Sequence, residues 1–244
     1  MSLNGKTAVV TGAAGTLGFA AVRALLEEHA QVALVDIDAL RLDSMIRFVR
    51  GTTRAVPCDV SDPVAVREAY RRVENELGPV DILVNAASIT SEGKAEGTAD
   101  LEWRRVVSVN LDGAFHWARE VIAGMKKRGW GRIVNVTAPI GRGPDGGIAY
   151  GASKGALASL TQALARETAP HGITVNAVSC AWVKTPAFAE EMTEPQRRQV
   201  LARIPVGRFC EPEEFAHAVR FLTSPFAGYV TGQVVEVDGG LRLG

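Results

Sequence analysis

The feature that most constrains this chain is a rhythm. Short apolar runs rich in β-branched residues alternate with longer stretches of helical periodicity from one end to the other. The runs are Lys6–Thr11, Gln31–Asp36, Arg54–Asp59, Val80–Asn85, Gly131–Thr137, Ile173–Ser179 and Gln233–Val237. Between them, helical patterning covers Leu17–Glu28, Ala39–Arg50, Asp62–Leu77, Thr98–Lys127 (doubtful near Gly113), Tyr150–Ala169, Thr193–Arg203 and Glu211–Leu222. Strands that alternate with helices read as a mostly parallel sheet covered on both faces, with right-handed crossovers. Pro57 cannot donate to a ladder, which places its strand near an edge. Asp62 is a ready N-cap, followed by Pro63 at the first helical position.

A chain of 244 residues with 47% hydrophobic side chains has material for one core, and no repeat or linker divides it, so residues 1–244 read as one domain. With 27 basic and 27 acidic side chains it lacks the basic excess of a phosphate-tracking protein, and nucleic acid is a poor candidate partner. No apolar run reaches membrane-spanning length, and Met1–Lys6 has no signal-like apolar core. Cys58, Cys180 and Cys210 are odd in number and widely spaced, which fits a reducing compartment better than a disulfide framework. A soluble, cytoplasmic protein is expected. His29, His116, His171 and His217 are scattered and give no metal signature.

The first strand runs straight into Thr11-Gly12-Ala13-Ala14-Gly15-Thr16-Leu17-Gly18. Glycines there allow a tight turn and close approach to a pyrophosphate, and the next helix offers free N–H groups and its positive dipole end. A glycine cluster after a strand can also be a plain turn. Asp36, eighteen positions after Gly18, ends the second strand. A carboxylate there accepts bonds from ribose hydroxyls and repels a 2′-phosphate, which favours NAD(H) over NADP(H); otherwise it caps the next helix.

Tyr150 and Lys154 stand four apart, on one face of a helix. A free phenol of pKa about 10 is ionised in roughly one molecule in a thousand at neutral pH. A nearby ammonium is expected to lower that pKa, so the tyrosine can exchange a proton with an alcohol or carbonyl as hydride moves.

These motifs, in this order, resemble those of the short-chain dehydrogenase/reductase family. The resemblance runs from Lys6 to Gly240 and takes in Thr11-Gly12, Gly18, Asp36, Cys58-Asp59-Val60, Asp81 to Ala87, Val109 to Gly113, Gly131 to Val136, Tyr150 to Lys154, Gly172 to Val178, Trp182 to Pro186 and Thr231 to Gly240. It implies a single-domain, Rossmann-type, doubly wound α/β fold of about seven strands in the order 3-2-1-4-5-6-7, with helices on both faces. It implies an NAD(H)-dependent oxidoreductase that interconverts a secondary alcohol and a ketone, or a 3-oxoacyl-type carbonyl. Tyr150 would be the general acid/base, Lys154 its assistant and a ribose ligand, and Asn110 the anchor of a proton-feeding water chain. Gly12, Leu17 and Gly18 would take the pyrophosphate and Asp36 the adenosine ribose. Asp59 and Val60 would contact adenine, Asn85 would lie along the cofactor, and Val183 and Thr185 would meet the nicotinamide end. A homotetramer or dimer is implied, and Phe221-Leu222, Phe226 and Tyr229 suit either its interface or an ordinary core.

The chain departs from the family pattern at four places. Thr16 stands where the middle glycine of the loop is usual. Asn85-Ala86-Ala87-Ser88 replaces Asn-Asn-Ala-Gly, and Cys180-Ala181 replaces Pro-Gly. The catalytic serine position, taken from the strand register, holds Ala138; a count of thirteen back from Tyr150 lands on Thr137. Three readings follow: Thr137 supplies the hydroxyl, Ala138 marks a serine-to-alanine variant, natural or engineered, or the chain is an impaired protein that senses NAD(H) or scaffolds a partner. Ile140, Trp182, Phe188 and Met192 suit an apolar substrate wall or a core, and residues 180–205 suit a substrate loop or lid.

Overall fold

The computed structural model describes residues 2–91, 93–139, 147–185 and 192–243. Among these residues, seven strands form one sheet: β1 (Thr7–Thr11), β2 (Gln31–Asp36), β3 (Thr53–Pro57), β4 (Val80–Asn85), β5 (Gly131–Thr137), β6 (Ile173–Cys180) and β7 (Val234–Val237). Their order is β3-β2-β1-β4-β5-β6-β7, and every pair is parallel. The expected order and class are thus those observed. β3 is an edge strand, as Pro57 requires.

Alternation within each central strand sends side chains into two cores. Ala8, Val10, Val32, Leu34, Val134, Val136 and Val178 face one side, beneath α1 (Thr16–Glu27) and Phe215, Val219 and Leu222 of the last long helix. Val9, Ala33, Leu83, Ile133 and Val175 face the other, where Val66 and Val73 of α3 (Pro63–Leu77) and the buried Trp117 pack. Asp62 caps α3 by accepting from Val64 N at 2.8 Å.

Two helices differ from expectation. The helix begun at Ala39 ends at Ile46 (α2), because only Leu42 on it is buried and the next residues tighten into i→i+3 bonds from Arg47, Phe48 and Val49. The long helix after Thr98 is three pieces: α4 (Asp100–Val107), a π-helical turn over Ser108–Asp112, and α5 (Gly113–Arg128). The break lies at Ser108–Asp112, immediately before Gly113, where the helical pattern is doubtful. The remaining helices are α6 (Ile148–Thr168), α7 (Glu194–Leu201) and α8 (Pro212–Thr223). No helix among the described residues is long and apolar enough to cross a membrane.

Parallel strands all end at one edge of the sheet. That edge carries the loops after β1, β2, β3, β4, β5 and β6, and therefore every candidate site residue outside α6 and the π turn.

Candidate active site

The loop after β1 is held by backbone geometry. Gly12 has φ +62°, and a Cβ there would lie 2.6 Å from Ala87 Cα. A Cβ on Gly18 would lie 2.1 Å from the Gly12 carbonyl oxygen. Both glycines are required by close approach of chain to chain, before any ligand is considered. α1 then starts from Gly15 with no side-chain cap and no acidic residue in its first turn, so the positive end of its dipole faces the sheet edge. Thr16 is its first residue, and Leu17 turns partly into the core.

Asp36 ties this loop to β2: Oδ2 accepts from Ala14 N at 3.0 Å and Oδ1 from Asp38 N at 3.2 Å. The cap of α2 is Asp38, which accepts from Arg41 N, so helix capping is not the role of Asp36. A cavity of about 490 Å³ opens beside it. Gly12, Asp36, Asp59 and Val60, four of the expected cofactor residues, line this one cavity together with Ser88 and Arg105. Arg105 was not foreseen; it sits on α4, far along the chain from any glycine motif. Asp59 is exposed and accepts from both the backbone and hydroxyl of Ser61.

Asn85 lies beneath this floor. It is buried, and its Nδ2 donates to Asn135 Oδ1 at 2.9 Å, cross-linking β4 to β5. Asn135 in turn donates to Thr161 Oγ1 on α6.

The chemistry-bearing residues converge from three elements. Asn110, in the π turn, accepts from Ile89 N at 2.8 Å through Oδ1. Its Nδ2 donates to Ile89 O at 2.9 Å and to Ser153 Oγ at 3.0 Å. Ser153 Oγ donates to Tyr150 O at 2.8 Å. A widened turn of this kind commonly marks a working site. Here it lets one amide clamp the β4 loop to α6. Ile89 also lines the cavity, so the clamp joins the cavity to the Tyr150 turn.

Lys154 is fully enclosed and donates to Val136 O at 2.8 Å; its Nζ lies 5.6 Å from the centroid of the Tyr150 ring. Burial pulls its pKa down to about 8. Tyr150 does not show the expected lowering. Burial pushes it up to about 12. The expectation counted the ammonium and omitted the burial. With Nζ engaged by a β5 carbonyl, desolvation of the phenolate dominates.

Ala138 is buried at the serine position. Thr137 is buried beside it, and its Oγ1 lies 3.5 Å from Val178 O on β6. Strand parity puts Thr137 on the face of Ile133 and Asn135, opposite Val134 and Val136. Val183 is buried and pairs with Cys210 in an isolated parallel bridge, while Thr185 is half-buried two residues on. Trp182 and Met192 pack partly against a small cluster of Ile204, Phe209 and Leu241, and Trp182 also lines a second cavity. Ile140, Phe188 and part of the expected lid lie outside the described residues.

The family model described as Enoyl-(Acyl carrier protein) reductase matches residues 12–242. This chain belongs to the short-chain dehydrogenase/reductase family. A relative, 3-oxoacyl-[acyl-carrier-protein] reductase FabG of Thermotoga maritima, is 38% identical over 247 residues, covering 100% of both chains. Short-chain reductase protein NovJ of Streptomyces niveus is 38% identical over 96% of this chain and 93% of its own. The crystal structure of gox2181 superposes with a TM-score of 0.94 at 34% identity, covering 100% of this chain and 98% of that one. Members of this family are oxidoreductases that use a nicotinamide cofactor. The uncapped α1, the glycine cradle and the adjoining cavity fit such a group.

Proposed function

We propose that the protein is an NAD(H)-dependent oxidoreductase that interconverts a secondary alcohol and a ketone, with 3-oxoacyl thioesters among its carbonyl substrates. The observation that carries this reading is the Ile89–Asn110–Ser153–Tyr150 chain of hydrogen bonds, which ties the cavity wall to the backbone of the turn that carries the phenol. The nicotinamide supplies or accepts the hydride when bound. Gly12, Leu17 and Gly18 hold its pyrophosphate through α1, Asp36 the adenosine ribose, and Asp59 and Val60 the adenine. Val183, already buried, offers backbone polar groups to the nicotinamide end, and Thr185 a hydroxyl. Asn85 supports this floor from below.

Tyr150 is the general acid/base. A phenol that keeps its proton at neutral pH is an acid first, which suits carbonyl reduction. It donates to the carbonyl oxygen as negative charge develops there. Lys154 then lies near enough to favour the phenolate left behind, and Asn110 fixes the turn on which the phenol rides. Ala138 offers no hydroxyl to that oxygen, so proton delivery rests on Tyr150. The reading includes a homotetramer or dimer, for which exposed Phe226 and Tyr229 are suitable contacts, and a cytoplasmic setting.

One observation favours a second reading, an impaired NAD(H)-binding sensor or scaffold: Ala138 lacks the hydroxyl of the serine position. Absorbance at the nicotinamide band decides between them. The enzyme reading expects turnover with NADH and a 3-oxoacyl thioester or ketone panel, and weaker turnover with NADPH. Cofactor binding without turnover across the panel, in wild type and Ala138→Ser alike, supports the sensor.

A further inference from the structure

Two cysteines thirty residues apart in sequence meet beside the catalytic turn. Cys180 ends β6, where its backbone pairs with Val237 of β7, and its Sγ lies 3.9 Å from Cys210 Sγ. Cys210 sits on the loop before α8. Its N–H donates to Trp182 O at 2.9 Å and its carbonyl accepts from Lys184 N at 2.9 Å. Both thiols are free. Cys180 is buried, whereas Cys210 is half-buried and lines a cavity of about 340 Å³ with Ala181, Trp182, Arg208 and Glu214. One sulfur is therefore reachable by a small solute and the other waits behind it. The two differ in character as well. The Cys180 thiol donates toward Cys210, which holds Cys180 protonated and favours the thiolate at Cys210, against burial and the Glu214 carboxylate; Cys210 Sγ also lies 3.3 Å from Glu211 O. A nucleophilic, accessible thiol backed by a resolving one is the arrangement of a redox-responsive pair.

We propose that Cys180 and Cys210 form an oxidisable dithiol, a thiol-modification site next to Tyr150 that hydrogen peroxide or an organic hydroperoxide converts to a disulfide. The Cys210 thiolate attacks one peroxide oxygen. An S–O bond forms, the O–O bond breaks, and the departing hydroxide or alkoxide takes up the proton released by Cys210. Cys180 then attacks the sulfenic sulfur; the S–S bond forms, the S–O bond breaks, and hydroxide leaves with the Cys180 proton as water. The two sulfurs lose one electron each and the peroxide gains both. A dithiol reductant reverses the change by exchange.

The bond requires the sulfurs to close from 3.9 Å to about 2.05 Å. Cys180 is fixed in the sheet, so the movement falls on Cys210 and on the segment 182–184 bonded to it. That segment carries Val183. Oxidation therefore displaces the segment that follows β6.

The test treats the folded, full-length chain with hydrogen peroxide, blocks free thiols in denaturant, and maps unreduced peptides by mass spectrometry. The expected result is a peptide pair joined through Cys180 and Cys210, two hydrogens lighter than the reduced pair and separated by dithiothreitol. Cys58, whose thiol burial pushes up to about 12, stays alkylatable. Cys210→Ser abolishes the linked peptide. Recovery of Cys180 and Cys210 as free thiols, or of Cys210 as sulfinic acid with no linkage, overturns the proposal. Linkage spread equally over all three cysteines overturns it too. Turnover is expected to fall several-fold on oxidation and to return on reduction. That second readout rests on the function proposed above, whereas the linked peptide is read by mass alone, so failure of one is distinguishable from failure of the other.

Discussion

The cofactor side and the chemistry side of this site are built on different principles. Around Gly12 and Gly18 the walls are backbone, and a single added methyl group would collide with main-chain atoms of Ala87 or Gly12. Around Tyr150 the work is done by side chains drawn from the π turn, β5 and α6, and each contact bridges distant parts of the chain. The first arrangement is rigid because the fold itself occupies the space. The second depends on a few polar partners, and Ala138 stands where the family pattern has a serine hydroxyl. A lineage can change the second by one substitution without losing the first, so binding and turnover are separable properties here.

The contrast can be broken most severely at Tyr150. Tyr150→Phe keeps the ring and removes the transferable proton, so turnover is expected to fall by roughly 10²–10⁴. NADH affinity, read by fluorescence, should change little by comparison. Equal losses in both would mean that the two sides are not separable. Ala138→Ser adds a donor to the developing oxyanion and is expected to raise kcat by up to about 10²–10³. No gain there would show that the chemistry side already has its full set of donors.

Lys154→Met sharpens the difference between function and stability. The buried ammonium is held at about 8, against an ordinary 10.5, which corresponds to about 3 kcal/mol of destabilisation. The folded form binds the proton less tightly than the unfolded one. The cost is therefore fully present below pH 8, shrinks as pH rises toward 10.5, and is gone above it. Lys154→Met should raise the denaturation midpoint at neutral pH, less so in alkali, while turnover falls by roughly 10². A lower midpoint would mean that the bond to Val136 O outweighs the burial of charge. The smallest effect is expected on the cofactor side. Asp36→Ala should narrow the preference for NADH over NADPH by roughly tenfold, the scale of one charge-assisted hydrogen bond. Titration of both cofactors checks this.

Much of the architecture was legible because it follows from local rules. β-branched runs, the Asp62–Pro63 helix start and the edge-forming Pro57 each act through their own backbone. The glycine loop was legible for the same reason. The end of α2 was not, because Phe48 and Val49 continue an apolar pattern that finds no core to bury in. The split near Gly113 was legible as a weakness in the helical pattern, but its π geometry was not, since a π turn is set by what the side chain must reach, here Ile89 and Ser153. The pairing of Tyr150 with Lys154 could be read from spacing, but the burial that governs their proton affinities could not. The meeting of Cys180 and Cys210 depends on the path of residues 181–210, which carries no periodic signal.

The account turns on Tyr150 keeping its proton at neutral pH and giving it up during reduction. The pH dependence of kcat/KM in both directions tests this directly. The prediction is reduction that stays level from pH 6 to about 8, and alcohol oxidation that is slow at neutrality and climbs steadily through the alkaline range as the phenol with its pKa near 12 ionises. Oxidation that has already reached its plateau by pH 7 would contradict it, because the phenol would then be ionised where the structure holds it neutral.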